Sequence, residues 1–153
     1  MAAGEIKIFY VAVAIMTDVV SPEKRSQIMA GISSTDTGPE IKVRKWLHAH
    51  GFRFRLHRRN LPGTPDIVLS KHRTVIFVHG CFWHQHQNCR IAKIPATRTE
   101  WWREKFNKNA ERDEAARMAL ESLGWKVLVI WECEVRNGAF ATRLEEFFLT
   151  VCK

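Results

Sequence analysis

The sequence predicts an α/β domain in which a mixed central sheet is flanked by helices, and three observations lead to that expectation. Three short apolar stretches between positions 52 and 78 are separated by turn chemistry, which is the pattern of an antiparallel meander. A long helical stretch then intervenes before one more apolar run, so the last strand returns by a crossover and joins parallel. The chain has 153 residues, 46% hydrophobic and 26% charged, which excludes a mainly disordered chain, a collagen-like chain or a coiled coil.

Each element has its own local reason. Ser21-Pro22-Glu23 supplies an N-cap, a proline for the first helical position and an early acid, opening a short helix that ends near Ile32. Residues 33–38 are turn chemistry. A second helix is expected over 39–50 with Gly51 as its stop, and 52–57 then alternates apolar and basic residues at period two, a half-buried strand with a cationic outer face. The turn at 61–65 leads into apolar runs at 66–69 and 75–78, split by Lys71, His72 and Arg73, an expected hairpin. Residues 80–97 show no period. The helix expected over 98–123 stops at Gly124, 126–131 reads as a near-continuous buried strand, and 141–150 forms a last amphipathic helix. No repeat or long linker interrupts 16–153, which is expected to be one domain.

Lys and Arg number 24 against 16 for Asp and Glu, a formal charge of +8, and the isoelectric point is near 9.7. Such a balance favours association with a polyanion. The longest apolar run, 8–16, is far short of the ~20 residues a spanning helix needs, so no membrane role is expected. It imitates a secretory signal at Ala12-Val13-Ala14, but Glu5 offsets Lys7; residues 1–15 are instead expected to be an extension from an early start codon. Four irregularly spaced cysteines, three of them near other ligand types, suit a reduced cytosolic metalloprotein better than a disulfide framework. Cys152 reads as a free thiol.

The segment 81–89 packs Cys81, His84, His86 and Cys89 together, and Cys133 follows later, just past an apolar strand. Zinc prefers a tetrahedron of thiolate and imidazole donors, so Cys81, His86, Cys89 and Cys133 make a structural Cys₃His set, with His84 as the alternative to His86. Asp66 opens a strand after Pro65, where a carboxylate at the sheet edge could bind Mg²⁺. Glu40, an isolated acid among many cations, reads locally as a helix-dipole partner or as an outer metal group, with the dipole favoured. His79 and His84 are the acid–base candidates, since imidazole exchanges protons at neutral pH. Phe82-Trp83 and Trp101-Trp102 lie among Arg90, Lys93, Arg98, Arg103 and Lys105, a composition that suits base stacking or insertion into a duplex, with a packed loop core as the alternative.

Taken together, 62–66 (Pro-Gly-Thr-Pro-Asp), 77–84 (Phe-Val-His-Gly-Cys-Phe-Trp-His), 95–99 (Pro-Ala-Thr-Arg-Thr), Glu111-Arg112-Asp113 and Trp131-Glu132-Cys133 resemble the very short patch repair (Vsr) DNA mismatch endonucleases over about 17–150. The resemblance implies a restriction-endonuclease-like core with an added structural zinc site. It makes Asp66 the direct Mg²⁺ ligand together with the Val78 backbone carbonyl. Glu40 becomes a ligand acting through water, which reverses the local preference for the dipole. It further implies that His84 is the general base, oriented by Asp113, and that His79 contacts the phosphate or assists the leaving group. Cys81, His86, Cys89 and Cys133 match the zinc ligands; Phe82, Trp83 and Trp102 match aromatics that enter the duplex beside the mismatch, and Met29 matches an apolar residue inserted from the opposite groove. Three departures stand out. Val78 replaces a Thr found in some members, the spacer before Cys89 is one residue longer than in some relatives, and the Glu-x-Lys of restriction-like nucleases is missing.

The function expected from this resemblance is a Mg²⁺-dependent, strand-specific DNA endonuclease that nicks 5′ of the T in T:G mismatches arising from 5-methylcytosine deamination. The implied setting is a bacterial-type cytoplasm, nucleoid-associated, with a monomer acting on mismatched duplex DNA and mismatch-repair proteins as possible further partners. A zinc-stabilised module that binds mismatches without cutting is the rival; it has no use for Asp66, His79, His84 and Asp113 together.

Overall fold

The order of elements follows from where the chain can be capped. The computed structural model describes residues 21–31 and 35–151, so the expectations for 1–15 and Cys152 lie outside the described residues. Helix α1 (Pro22–Ala30) begins at the expected proline, with the Ser21 hydroxyl accepting from the Lys24 N–H. Helix α2 (Gly38–Ala49) starts one residue before Pro39, because Thr37 and Glu40 form a reciprocal capping box around its first turn. The sheet then runs β1 (Arg55–Leu56), β2 (Ile67–Leu69) and β3 (Thr74–His79) as an antiparallel meander. Helix α3 (Thr99–Ser122) crosses over, and β4 (Lys126–Trp131) pairs parallel with β3, giving the order β1-β2-β3-β4. Helices α4 (Glu132–Asn137) and α5 (Ala139–Val151) follow.

The sheet is covered on both faces. Val43 and Leu47 of α2, Val135 of α4 and Leu144 and Phe148 of α5 bury one face with Ile67, Leu69, Ile76, Leu128 and Ile130. Leu120 of α3 covers Val68 and Val75 on the other. All three residues of β2 are therefore fully buried, as a strand inside a three-layer sandwich must be.

Three elements differ from expectation. The strand expected over 52–57 pairs only at Arg55 and Leu56, both exposed, because His57 enters the left-handed region at φ 44° and ends the ladder. Phe52 and Phe54 pack on the core as the alternation requires, whereas Leu56, at the same phase, is exposed. β4 is not continuously buried: only Leu128 and Ile130 are, since it is the end strand and lacks a neighbour on its outer side. Residues 132–151 form two helices rather than one, divided at Gly138, whose φ of 83° suits glycine.

Two local arrangements place the site. In the parallel β3–β4 pair His79 stands opposite Trp131, so the two chains leave the sheet side by side and carry Cys81 and Cys133 out together. In the β2–β3 hairpin Ile67 faces Ile76, which sets Asp66 beside the end of β3. The turn before Asp66 presses on α3: a Cβ at Gly63 would lie 2.6 Å from the Ala116 Cβ, at a φ of 71°.

Candidate active site

Four soft donors converge where β3 and β4 end. The ligand atoms of Cys81, His86, Cys89 and Cys133 all lie within 4.8 Å of one another. His86 Nδ1 is 3.3 Å from Cys133 Sγ and 3.7 Å from Cys81 Sγ. A tetrahedral zinc ion with its ordinary bond lengths requires donor–donor edges of about 3.5–3.8 Å, so this set has the right span. Burial pushes both the Cys81 and the Cys133 thiols up, and a dication would be needed to keep them as thiolates. The Cys133 N–H already donates to Cys81 Sγ at 3.4 Å, and Trp131 stacks on the His86 ring at 4.2 Å. The aperiodic loop is thus tied to the strand end, with His86 and not His84 in the cluster.

On the other side of β3, Asp66 Oδ2 accepts the Val78 N–H at 2.8 Å. Burial raises the Asp66 carboxyl to about 6 against the opposing pull of that hydrogen bond, and the nearby charge of Glu40 raises it further. Glu40 is 2% exposed and fully engaged: it accepts from Arg44, from the Thr37 hydroxyl and from the backbone of Asp36 and Thr37. Asp66, whose anion burial destabilises, and Glu40, whose charge it feels, are oxygen donors of the kind a hard divalent cation takes.

His79 and His84 stack face to face, with centroids 3.8 Å apart and planes 8° apart. His84 Nδ1 meets Asp113 Oδ2 at 2.5 Å. Burial would raise Asp113, but the hydrogen bond from His84 and the charges of His84, His79 and Arg112 outweigh it and hold the carboxyl below its ordinary value. His79 is lowered to about 4, first by burial and then by His84. With Nδ1 committed to Asp113, the remaining acceptor on a neutral His84 is Nε2, which is the arrangement of an oriented base.

The aromatic residues divide by exposure. Phe82 is 4% exposed and meets Trp83, Trp102 and Phe106 edge to face, so in this structure it belongs to the packed core of the loop. Trp83 and Trp102 are partly exposed, and Trp101 is 44% exposed. Lys105 Nζ lies 5.5 Å from the Trp83 ring centroid and 5.0 Å from that of Trp101. Met29 falls on α1, and its side chain lies outside the described part of the structure.

The chain is 45% identical over 138 residues to the DNA mismatch endonuclease Vsr of Escherichia coli (strain K12), spanning 86% of this chain and 88% of that protein. The chain belongs to the Vsr DNA mismatch endonuclease family. The family profile described as DNA mismatch endonuclease Vsr matches residues 17–90. This Vsr-family chain is also 50% identical over 130 residues to the type II nicking enzyme V.XorIIP of Xanthomonas oryzae pv. oryzae, covering 84% of the chain and 95% of the relative. Its fold resembles that of the catalytic domain of the homing endonuclease I-Bth0305I, with a TM-score of 0.54, 19% identity, and coverage of 77% of this chain and all of that one. The Vsr-family chain is therefore a DNA endonuclease on a nuclease fold.

Several residues around the Vsr-family site escaped the sequence reading. Arg44 joins Asp36 at 2.5 Å and Glu40 at 2.7 Å, and its Nη2 also lies 3.0 Å from His57 Nε2. Asn109, 9% exposed, donates to the Trp83 carbonyl at 2.9 Å and accepts from Arg112. Asn109 had a signal: it sits three and seven positions after Phe106 and Trp102, on one helical face. Arg44 had only the i, i+4 spacing to Glu40, which an ordinary surface pair shares.

Proposed function

We propose that this chain is a Mg²⁺-dependent, strand-specific endonuclease that hydrolyses the phosphodiester 5′ of the T in T:G mismatches left by 5-methylcytosine deamination, in very short patch repair. The observation that carries the reading is the His84–Asp113 pair at 2.5 Å, linked to Asp66 through the stacked His79 and the Val78 N–H. Pure binding has no use for an imidazole oriented in this way.

His84 takes the proton of the attacking water at Nε2 while Asp113 steadies the imidazolium that results. His79 is uncharged at neutral pH, so its ring N–H can donate a hydrogen bond to the phosphate or to the leaving oxygen without giving up a net proton. Asp66 and the Val78 carbonyl would hold Mg²⁺ directly, with Glu40 acting through water, and the bound ion supplies neutralisation of the phosphate charge. Arg44 and the capping box fix Glu40 for that role.

Cys81, His86, Cys89 and Cys133 hold a structural zinc. Trp83 and Trp102 present partly exposed rings for insertion beside the mismatch, with Phe82 behind them and Met29 reaching from the other groove. Phe82 itself enters a duplex only if the loop repacks, given its 4% exposure. The domain spans 16–153 and acts as a monomer in a bacterial-type cytoplasm, at the nucleoid, with mismatch-repair proteins as further partners. Among the described residues no helix is long and apolar enough to cross a membrane.

Matched and T:G duplexes incubated with and without Mg²⁺, with any nick mapped to the nucleotide, test the proposal. A Mg²⁺-dependent nick 5′ of the mismatched T is expected. Tight T:G binding without cutting in any flanking context would overturn it in favour of a binding module.

A further inference from the structure

His57 is the residue that the mechanism leaves unused and that the fold places between the two carboxylate groups. Its backbone N–H donates to the Asp66 carbonyl at 3.3 Å, and its φ of 44° turns the ring inward at the end of β1. Nε2 is 3.0 Å from Arg44 Nη2, and 3.7 Å from both Glu40 Oε2 and Asp36 Oδ1. Nδ1 is 3.9 Å from Asp66 Oδ1.

The guanidinium decides how this ring is protonated. Arginine has donors only, so the Nε2 that faces Arg44 at 3.0 Å offers its lone pair. The proton of neutral His57 then sits on Nδ1, the nitrogen directed at Asp66. Oδ2 of Asp66 is tied to Val78, which leaves Oδ1 as the oxygen available to a cation, and that is the atom Nδ1–H faces. At 3.9 Å this is a charge–dipole contact rather than a hydrogen bond.

The same residues also satisfy the loose geometric requirement for a second metal at Asp36, Glu40 and His57. Arg44 argues against that reading. Its guanidinium already sits 2.5 Å from Asp36 and 2.7 Å from Glu40, so the positive charge the cluster needs is built in.

We infer that His57, held in one tautomer by Arg44, is a positioning residue that fixes the plane of the Asp66 carboxylate and so presets the cation site. The inference rests on the proposal that Asp66 holds the divalent ion. Outer groups that orient a ligand change metal affinity by about 10- to 100-fold, and the loss here is expected in affinity rather than in the chemical step.

The experiment is a Mn²⁺ titration of the full zinc-loaded chain without DNA, following the free-ion signal by electron paramagnetic resonance. D66N should lose the site. H57A should weaken Mn²⁺ by about tenfold or more, with an unchanged melting temperature. Two amides separate positioning from mere packing. Asn puts a donor where Nδ1 stands and tolerates a positive φ, whereas Gln reaches the Nε2 position towards Arg44. Rescue by H57N but not by H57Q is expected, and this comparison stands even if H57A does not fold. Wild-type affinity in H57A, or rescue by H57Q alone, would overturn the role of His57 while D66N still reported a metal site. Wild-type affinity in D66N would remove the Asp66 site itself, and this inference with it.

Discussion

Asp113 Oδ2 and His84 Nδ1 meet at 2.5 Å across 29 positions of sequence, joining the middle of α3 to a loop that has no secondary structure of its own. The loop alone could not aim His84. The helix aims it, and the zinc-type cluster two residues further on, at His86, anchors it from the other end.

That geometry separates a base from its support. His84→Ala should lower the nicking rate by about 10²- to 10⁴-fold, the usual worth of positioned proton transfer, and Asp113→Asn by less, since a base still exists. Single-turnover rates at saturating Mg²⁺ check this, with melting curves alongside. A common loss of solubility in both variants would place the pair in the core instead.

Asp66→Asn should abolish nicking and at the same time stabilise the ion-free protein. The sign follows from burial: the folded carboxyl titrates near 6 against an ordinary 3.8, so the fold binds this proton more tightly than the unfolded chain does. Asp66 therefore favours the folded state as pH falls from about 6 towards 3.8 and disfavours it above 6. The melting advantage of Asp66→Asn should be largest at pH 7 to 8, up to about 3 kcal/mol, and vanish near pH 4. Melting scans without added Mg²⁺ would measure it, and a variant less stable than wild type at pH 8 would contradict it.

Removing zinc, or Cys133→Ser, should destabilise the whole domain and not the chemistry alone, because the binding free energy of a structural site is folding free energy. Metal analysis of purified protein should find about one zinc per chain. Folded, active protein without zinc would refute the assignment.

Trp83→Ala and Trp102→Ala should stay folded, keep their salt-dependent affinity for matched duplex and lose preference for T:G. Stacking is worth ~1–3 kcal/mol per base, and unstacking costs less at a mismatch than at a matched step. Phe82→Ala should behave differently, losing about 3–5 kcal/mol of stability as a buried aromatic does. Chemical denaturation and competition binding resolve the two classes. Full mismatch preference in both tryptophan variants would transfer recognition to hydrogen bonds with the mispaired bases.

Most of the framework could be read in advance because its signals are local. Ser21-Pro22, Gly51 and Gly124 mark helix ends without tertiary help, and the parallel return of β4 follows from a single crossover. The zinc-type cluster was legible because four unusual donors crowd one loop and its strand partner. The reach of β1 was not, since a left-handed His57 is a choice made by Arg44 and Asp66 and not by its own neighbours. Nor was the split at Gly138: Asn137-Gly138 is a stop signal, but the first helix it closes is only six residues long. Glu40 shows why a local reading could not decide its role: it caps α2, and its charge also reaches Asp66 from a distant part of the sequence.

The 24 residues of α3 form an unbroken rod, and Trp102 and Asp113 lie on the same side of it, three turns and ~16 Å apart at 1.5 Å per residue. Its first turn supports a ring proposed to sense the lesion, and its middle steadies the ring proposed to cut. A rod of this kind separates the two tasks for anyone redesigning the molecule. Side chains near Trp102 can be exchanged to alter which distorted base pair is accepted, while the hydrolytic residues keep their alignment. Inserting or deleting one residue between them rotates the two positions by about 100° relative to each other, so the length of α3 between them is the dimension that such redesign must leave alone.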